Sequence, residues 1–159
     1  MGSRSKARKR AVDVLYEADL RGLEAVTLLS ERLAAPEAAP VADYTVTLVE
    51  GIAANLRRID EVLVEHAEGW TLDRMPAVDR AVLRLGLYEL LWSEDVPPAV
   101  AIDESVELVK DLSTDDSPRF VNGVLGRIAG ISDRLRTSIR NLEAAEAAAA
   151  ERAESDAQH

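Results

Sequence analysis

The chain has 159 residues, 47% hydrophobic and only 4% aromatic, which suits one domain with a core of Leu, Val and Ile. Its 19 Lys and Arg stand against 29 Asp and Glu, a formal net charge of −10 that repels nucleic acid at long range and confines any nucleic-acid role to a local basic patch. The absence of cysteine excludes disulfides and thiolate metal sites and fits a reducing, cytoplasmic setting, while no apolar run approaches the roughly 18 residues of a membrane span.

The first ten residues reverse the overall charge. Arg4, Lys6, Arg8, Lys9 and Arg10 occur there with no acidic residue, leaving 14 Lys and Arg against 29 Asp and Glu in the rest of the chain. This start is not a secretory leader, because the apolar run Ala11 to Leu15 is too short and is interrupted by Asp13. Ala7, Ala11, Val14, Leu15 and Ala18 then fall on one helical face, predicting a first helix that ends near Gly22. Val26, Leu29 and Leu33 predict a short second helix over 25–33, followed by an Ala/Pro link bracketed by Pro36 and Pro40.

Val49, Ile52, Leu56, Ile59 and Leu63 alternate at spacings of three and four, predicting one long amphipathic helix over 43–67. "EGWTLDRMP" reads as a connector with at most one helical turn. Residues 79–92 are apolar on more than one side, which predicts a central helix packed by several neighbours. Pro97 and Pro98 break it, and Ile102, Val106 and Val109 predict a further helix to about Leu112. After the turn "STDDSP", Ser117 is expected as N-cap and Pro118 as first helical residue. The stripe Val121, Val124, Leu125 and Ile128 follows, and Gly123 and Gly126 within it suggest a closely packed backbone. Residues 141–159 have helix propensity but almost nothing large to bury, and are expected to be a disordered Ala/Glu-rich tail beyond a single domain over 1–140.

The sum is an all-α fold of about seven helices. Nothing in it points to catalysis. His66 and His159 lack partners at metal-ligand spacing, and there is no phosphate loop, nucleophile elbow or cysteine nucleophile. Acidic pairs such as Asp60-Glu61 and Asp103-Glu104 are what an acidic, solvated surface predicts. No enzyme activity, cofactor or metal is expected.

Three blocks, "RKRAVDVLYEADLRG", "GWTLDRMPAVDRAVLRLGLYELLW" and "VPPAVAIDESVELVKDLSTDDSPRFVNGVLGRIA", resemble the NusB family of bacterial transcription antitermination factors over roughly residues 4–130. The resemblance implies two small helical bundles packed across each other. It also implies binding of single-stranded boxA RNA in nascent ribosomal-RNA transcripts, jointly with the ribosomal protein NusE, so that the RNA is tethered to the transcription elongation complex. Some family members form homodimers that hide the RNA surface. Two other readings stand beside this one: a helical protein-interaction module, homodimeric or not, and a stand-alone relative of the RNA-binding domain of ribosomal-RNA methyltransferases.

By the same resemblance, Lys6, Arg8, Lys9 and Arg10 belong to an RNA-contacting segment, where a helix N-terminus also favours phosphate. On charge alone, a basic arm offsetting the acidic bulk is an equal alternative. Asp116, Phe120 and Asn122 join the RNA side, beside the basic segment. Phe120 suits base stacking and Asn122 a base edge, although a core phenylalanine and a turn amide fit those residues as well. Tyr16 and Leu20 project opposite the alanine face and, with Asp79, align with positions used against NusE. Packing on a second bundle is the alternative for both side chains. "IDES" departs from the family's common "INEA" at Asp103, which also suits a helix N-cap.

Overall fold

A computed structural model describes residues 2–35, 37 and 39–158; Pro36 and His159 therefore lie outside the described residues. Eight α-helices and one 3-10 turn, with no strand, make up the described residues: α1 (Ser3–Arg21), α2 (Ala25–Ala34), α3 (Asp43–Ala54), α4 (Leu56–His66), the 3-10 turn (Leu72–Arg74), α5 (Ala77–Trp92), α6 (Pro98–Leu112), α7 (Ser117–Ala129) and α8 (Ser132–Ala157). No helix among them is long and apolar enough to cross a membrane. α1 stops where expected, at Gly22 with φ +66°, and the Leu23 N–H closes the cap on the Ala18 carbonyl at 2.9 Å.

α5 is the axis of the fold, touching α1, α3, α4, α6, α7 and α8. Its Val82, Leu83, Leu85, Leu87 and Leu90 are wholly buried, as its all-round apolar pattern predicts. Two arginines on its less buried side tie neighbours to it. Arg80 pairs with Asp19 of α1 at 2.7 Å, and Arg84 donates two bonds to Asp60 of α4 at 2.9 and 3.0 Å. The close approach expected at Gly123 and Gly126 occurs instead at Gly51, against the Tyr88 ring, and at Gly86. A Cβ on Gly86 would lie 2.6 Å from Ser105 Oγ and 2.7 Å from Leu125, whereas one on Gly126 would meet nothing within 4 Å.

The head of α1 is pinned to the far end of α5 by a buried ion pair. Arg8 Nε reaches both carboxylate oxygens of Glu89, at 2.9 and 3.0 Å, with the two side chains 4% and 0% exposed. The Tyr44 hydroxyl of α3 also donates to Glu89, and Glu104 of α6 lies 3.5 Å from Arg8. Thr45 adds a 2.8 Å bond to the Ala7 carbonyl. Four helices thus converge on one carboxylate and one guanidinium.

The structure departs from the sequence reading in three further places. The helix expected over 43–67 is two, α3 and α4, divided at Asn55 (φ −116°, ψ 14°), whose side-chain amide bonds back to the Gly51 carbonyl at 2.8 Å. Ser117 is the first residue of α7 rather than its N-cap. Residues expected to form a disordered tail continue α8 to Ala157, consistent with their alanine content. α8 is held to the body by Ile139, by Arg136 on the Leu90 carbonyl (2.8 Å from Nε), by Trp92 Nε1 on Glu143 and by Arg58 on Glu146. Beyond Glu146 its side chains are exposed, apart from a half-buried Ala148.

Arg8→Ala leaves Glu89 charged, buried and short of its main partner, and is expected to cost about 3–5 kcal/mol in urea unfolding. An Arg8→Ala variant as stable as the parent would refute the pin. Burial, aided by the bond to Glu89, pushes the Tyr44 phenol well above its ordinary value. Its contribution is therefore complete below about pH 10, where an unfolded tyrosine starts to ionise, and declines as pH rises further. Tyr44→Phe should remove that part of the alkaline loss of stability, measured as melting temperature against pH.

Candidate nucleic-acid interface

Helical geometry places Lys6, Lys9, Asp13, Tyr16 and Leu20 along one side of α1, opposite Ala7, Ala11 and Ala18, with Arg10 at the edge of that side. The alanine side is buried, so the other must face outward, and Lys6, Lys9 and Leu20 are exposed with Arg10 half-buried. Among the described residues, the side chains of Lys6, Lys9 and Arg10 take part in no ion pair or hydrogen bond, unlike the α1 arginines that pair with Asp95, Glu89 and Glu17. Asp13 is their acidic neighbour: burial raises its carboxyl, and the charges of Arg10 and Lys9 pull the other way.

Arg8 does not belong to this stripe. It was expected among the RNA-contacting residues, but its guanidinium is enclosed by Glu89, Glu104 and the Tyr44 ring. A side chain 4% exposed offers no surface to a phosphate. Arg4, at the same end, is committed to Asp95 at 2.8 Å and lies 4.4 Å above the Tyr44 ring; this pairing holds the Asp95 carboxyl below its usual range.

The second group of expected residues surrounds the α6–α7 turn. Asp79 is 2% exposed, which removes its carboxylate from the partner-facing surface expected for it. It accepts from Ser113 Oγ at 2.7 Å and Ser117 Oγ at 2.9 Å, and Ser117 in turn accepts from the Thr114 N–H. Asp79 thereby fixes the turn that carries Asp116 and Phe120. Asp116 is exposed with no side-chain bond, Phe120 is half-buried against the core, and Asn122 is exposed on α7.

A cavity of about 400 Å³ opens at this turn, lined by Trp70, Pro76, Asp79, Thr114, Asp116, Ser117, Arg119 and Phe120. Trp70 is 49% exposed, and its ring centroid lies 5.7 Å from that of Phe120 at a 55° tilt. Neither Trp70 nor Arg119 stood out in the sequence, where the first fell in a connector. A tryptophan beside a glycine, outside any apolar periodicity, was the available signal.

The basic stripe and this turn lie toward opposite ends of α5. Arg8 marks the Glu89 end of α5 and the turn marks the Asp79 end, about 15 Å apart at 1.5 Å per residue. Of the expected partner-facing residues, Leu20 is 61% exposed, while Tyr16 is half-buried and packs partly on the core. Among the described residues, no cluster of His, Asp and Glu is arranged to hold a metal ion.

Comparison with known proteins places this geometry in context. The model of the NusB family matches residues 5–130. The transcription antitermination protein NusB of Saccharopolyspora erythraea is 81% identical over 141 residues, covering 88% of this chain and 95% of that protein. The protein of the same name from Beutenbergia cavernae is 54% identical over 154 residues, covering 91% and 98%. Among solved structures, T. maritima NusB superposes with a TM-score of 0.71 at 34% identity, covering 81% of this chain and 92% of that one. A crystal structure of antitermination factors NusB and NusE in complex with double-stranded RNA matches at a TM-score of 0.69 and 32% identity, covering 80% and 96%.

Asp79→Ala leaves two serine hydroxyls without their acceptor and is expected to cost about 1–3 kcal/mol in thermal unfolding. An undiminished melting temperature would show that Asp79 does not hold the turn.

Proposed function

The chain belongs to the NusB family, and on that footing we propose that it is a transcription antitermination factor that holds boxA-type RNA of nascent ribosomal-RNA transcripts together with NusE. The observation that carries the RNA reading is the uncommitted cation stripe Lys6, Lys9 and Arg10 on a protein of net charge −10. Three unpaired cations on one helix face suit phosphate, and the acidic remainder discourages binding elsewhere. Asp116, Phe120 and Asn122 form the second contact region, and its distance from the stripe calls for an extended strand several nucleotides long. The strand is single, because unpaired bases are what aromatic and amide side chains read.

Arg8 is a positioning residue in this reading, holding the head of α1 rather than touching RNA. Tyr16 and Leu20 face NusE, and Asp79 acts through the turn it supports. RNA and partner then meet on adjacent parts of one exposed side of α1, which explains why the two bind jointly. The protein works in the cytoplasm as a binding factor without catalysis, linking RNA to the transcription elongation complex. Its architecture is the family's pair of small helical bundles, with α5 shared between them.

Counterion release gives a slope of log K against log salt of about −0.7 per phosphate neutralised on a single strand. Replacing Lys6, Lys9 and Arg10 with alanine should flatten the slope by roughly two units, whereas Arg8→Lys, if folded, should leave it unchanged. Titration of boxA-type and scrambled RNA, with and without NusE, is the measurement. Equal binding of both strands, or an unchanged slope in the triple variant, would refute the assignment. Tyr16→Ala should weaken NusE binding while the protein remains folded.

A further inference from the structure

The geometry points to Trp70 as a base-stacking residue: with Phe120 and Arg119 it forms a subsite for one unpaired nucleotide of the bound RNA. This rests on the RNA-binding reading above and extends it to two residues outside the expected contacts. Five observations carry it.

Trp70 is large, aromatic and half-exposed, although 47% of the chain is hydrophobic and aromatics are scarce. It lines a cavity of about 400 Å³, within the size range of small-ligand sites. Its ring is tilted against Phe120 with no gap between them, so a base cannot slot in the middle. A base stacked on the open face of one ring instead meets the edge of the other, which suits the aromatic preference for tilted as well as offset contacts.

The loop that presents Trp70 is held in an unusual shape. Glu68 has φ +45° and Gly69 φ +84°, consecutive left-handed residues, and a glutamate rarely adopts that conformation without support. Support comes from α7, the helix that carries Phe120. Arg127 donates to the His66 carbonyl at 3.0 and 3.3 Å and lies 3.6 Å from Glu68. Both rings are therefore positioned from one helix.

The charges around the cavity separate base from phosphate. Asp79 is spent on Ser113 and Ser117 beneath the surface. Arg119 and Asp116 are exposed and, among the described residues, unpaired. Arg119 takes the phosphate of the stacked nucleotide, and Asp116 repels it, so the backbone runs past Arg119 while the base turns toward the rings.

The test uses the fluorescence of Trp70. The other tryptophan, Trp92, is at the end of α5 away from Asp79, stacked on Tyr88 at 6.0 Å, and Trp92→Phe leaves Trp70 as the chain's only tryptophan. The full-length Trp92→Phe protein, with its ribosomal-protein partner, is titrated with a single-stranded boxA-type oligonucleotide. The same strand is also used with each base in turn replaced by an abasic site. Quenching should follow the binding isotherm and be relieved by an abasic site at one position. Trp70→Ala should weaken binding about tenfold with an unchanged salt slope, and Arg119→Ala should flatten that slope by about 0.7. Intact binding without quenching, quenching that no single abasic position relieves, or a folded Trp70→Ala variant that binds like the parent would each overturn the subsite. If Trp70→Ala does not fold, the quenching and abasic series decide alone. Failure of the parent complex to bind RNA at all would overturn the RNA-binding reading together with the subsite.

Discussion

A single buried ion pair, Arg8 to Glu89, sets the frame in which the rest of the protein works. Its two charges lie in a shell where water cannot solvate them, so each depends on the other and on the groups around them. Tyr44 and Glu104 complete that shell from α3 and α6, which makes the pair a junction of four helices. Such a junction adds little net stability compared with apolar packing, but it tolerates only one arrangement of its members. The rotation of α1 about its own axis is among the things it specifies. With Arg8 turned inward and Asp19 paired to Arg80 further along, Lys6, Lys9 and Arg10 are turned outward.

That rotation divides the basic cluster by task. Arg4 and Arg8 are consumed in binding the protein to itself, and the remaining three cations are left for a ligand. An acidic chain gains specificity from this arrangement, since its densest group of uncommitted cations is a short helix face continuous with Tyr16 and Leu20. On the proposed reading, a partner docked on those two side chains sits beside RNA held at the head of the same helix. The α6–α7 turn repeats the theme: Asp79 and Ser117 hold the turn from beneath, which leaves Asp116, Arg119 and Phe120 available on its outer side.

The helices themselves were readable from the chain because apolar spacing reports directly which side of a helix is buried. The central position of α5 was readable for the same reason, since leucines on every side require neighbours on every side. The division at Asn55 was hidden. Val49 and Ile52 of α3 and Ile59 and Leu63 of α4 are all wholly buried, so the spacing of three and four carries across the break even though Leu56 beside it is exposed. Gly123 and Gly126 misled because a glycine signals close packing only when a neighbour is there, and the neighbours lie at Gly51 and Gly86. Trp70 was passed over because a connector has no periodicity against which one aromatic stands out.

What the sequence determined alone was the local and the collective: helix faces, capping at Gly22, the acidic bulk with its basic head, and family motifs spread over most of the chain. What only the tertiary structure decided was the fate of individual charged side chains. Arg8 and Lys9 are adjacent in the chain and similar in charge, yet one is enclosed and the other free. The difference lies in Glu89, 81 positions away, as the difference between Asp79 and Asp116 lies in Ser113 and Ser117. Hydrophobic burial is governed by averages over a helix face, which a sequence displays. A charge is kept or neutralised by one partner at hydrogen-bond distance, and folding alone brings that partner near.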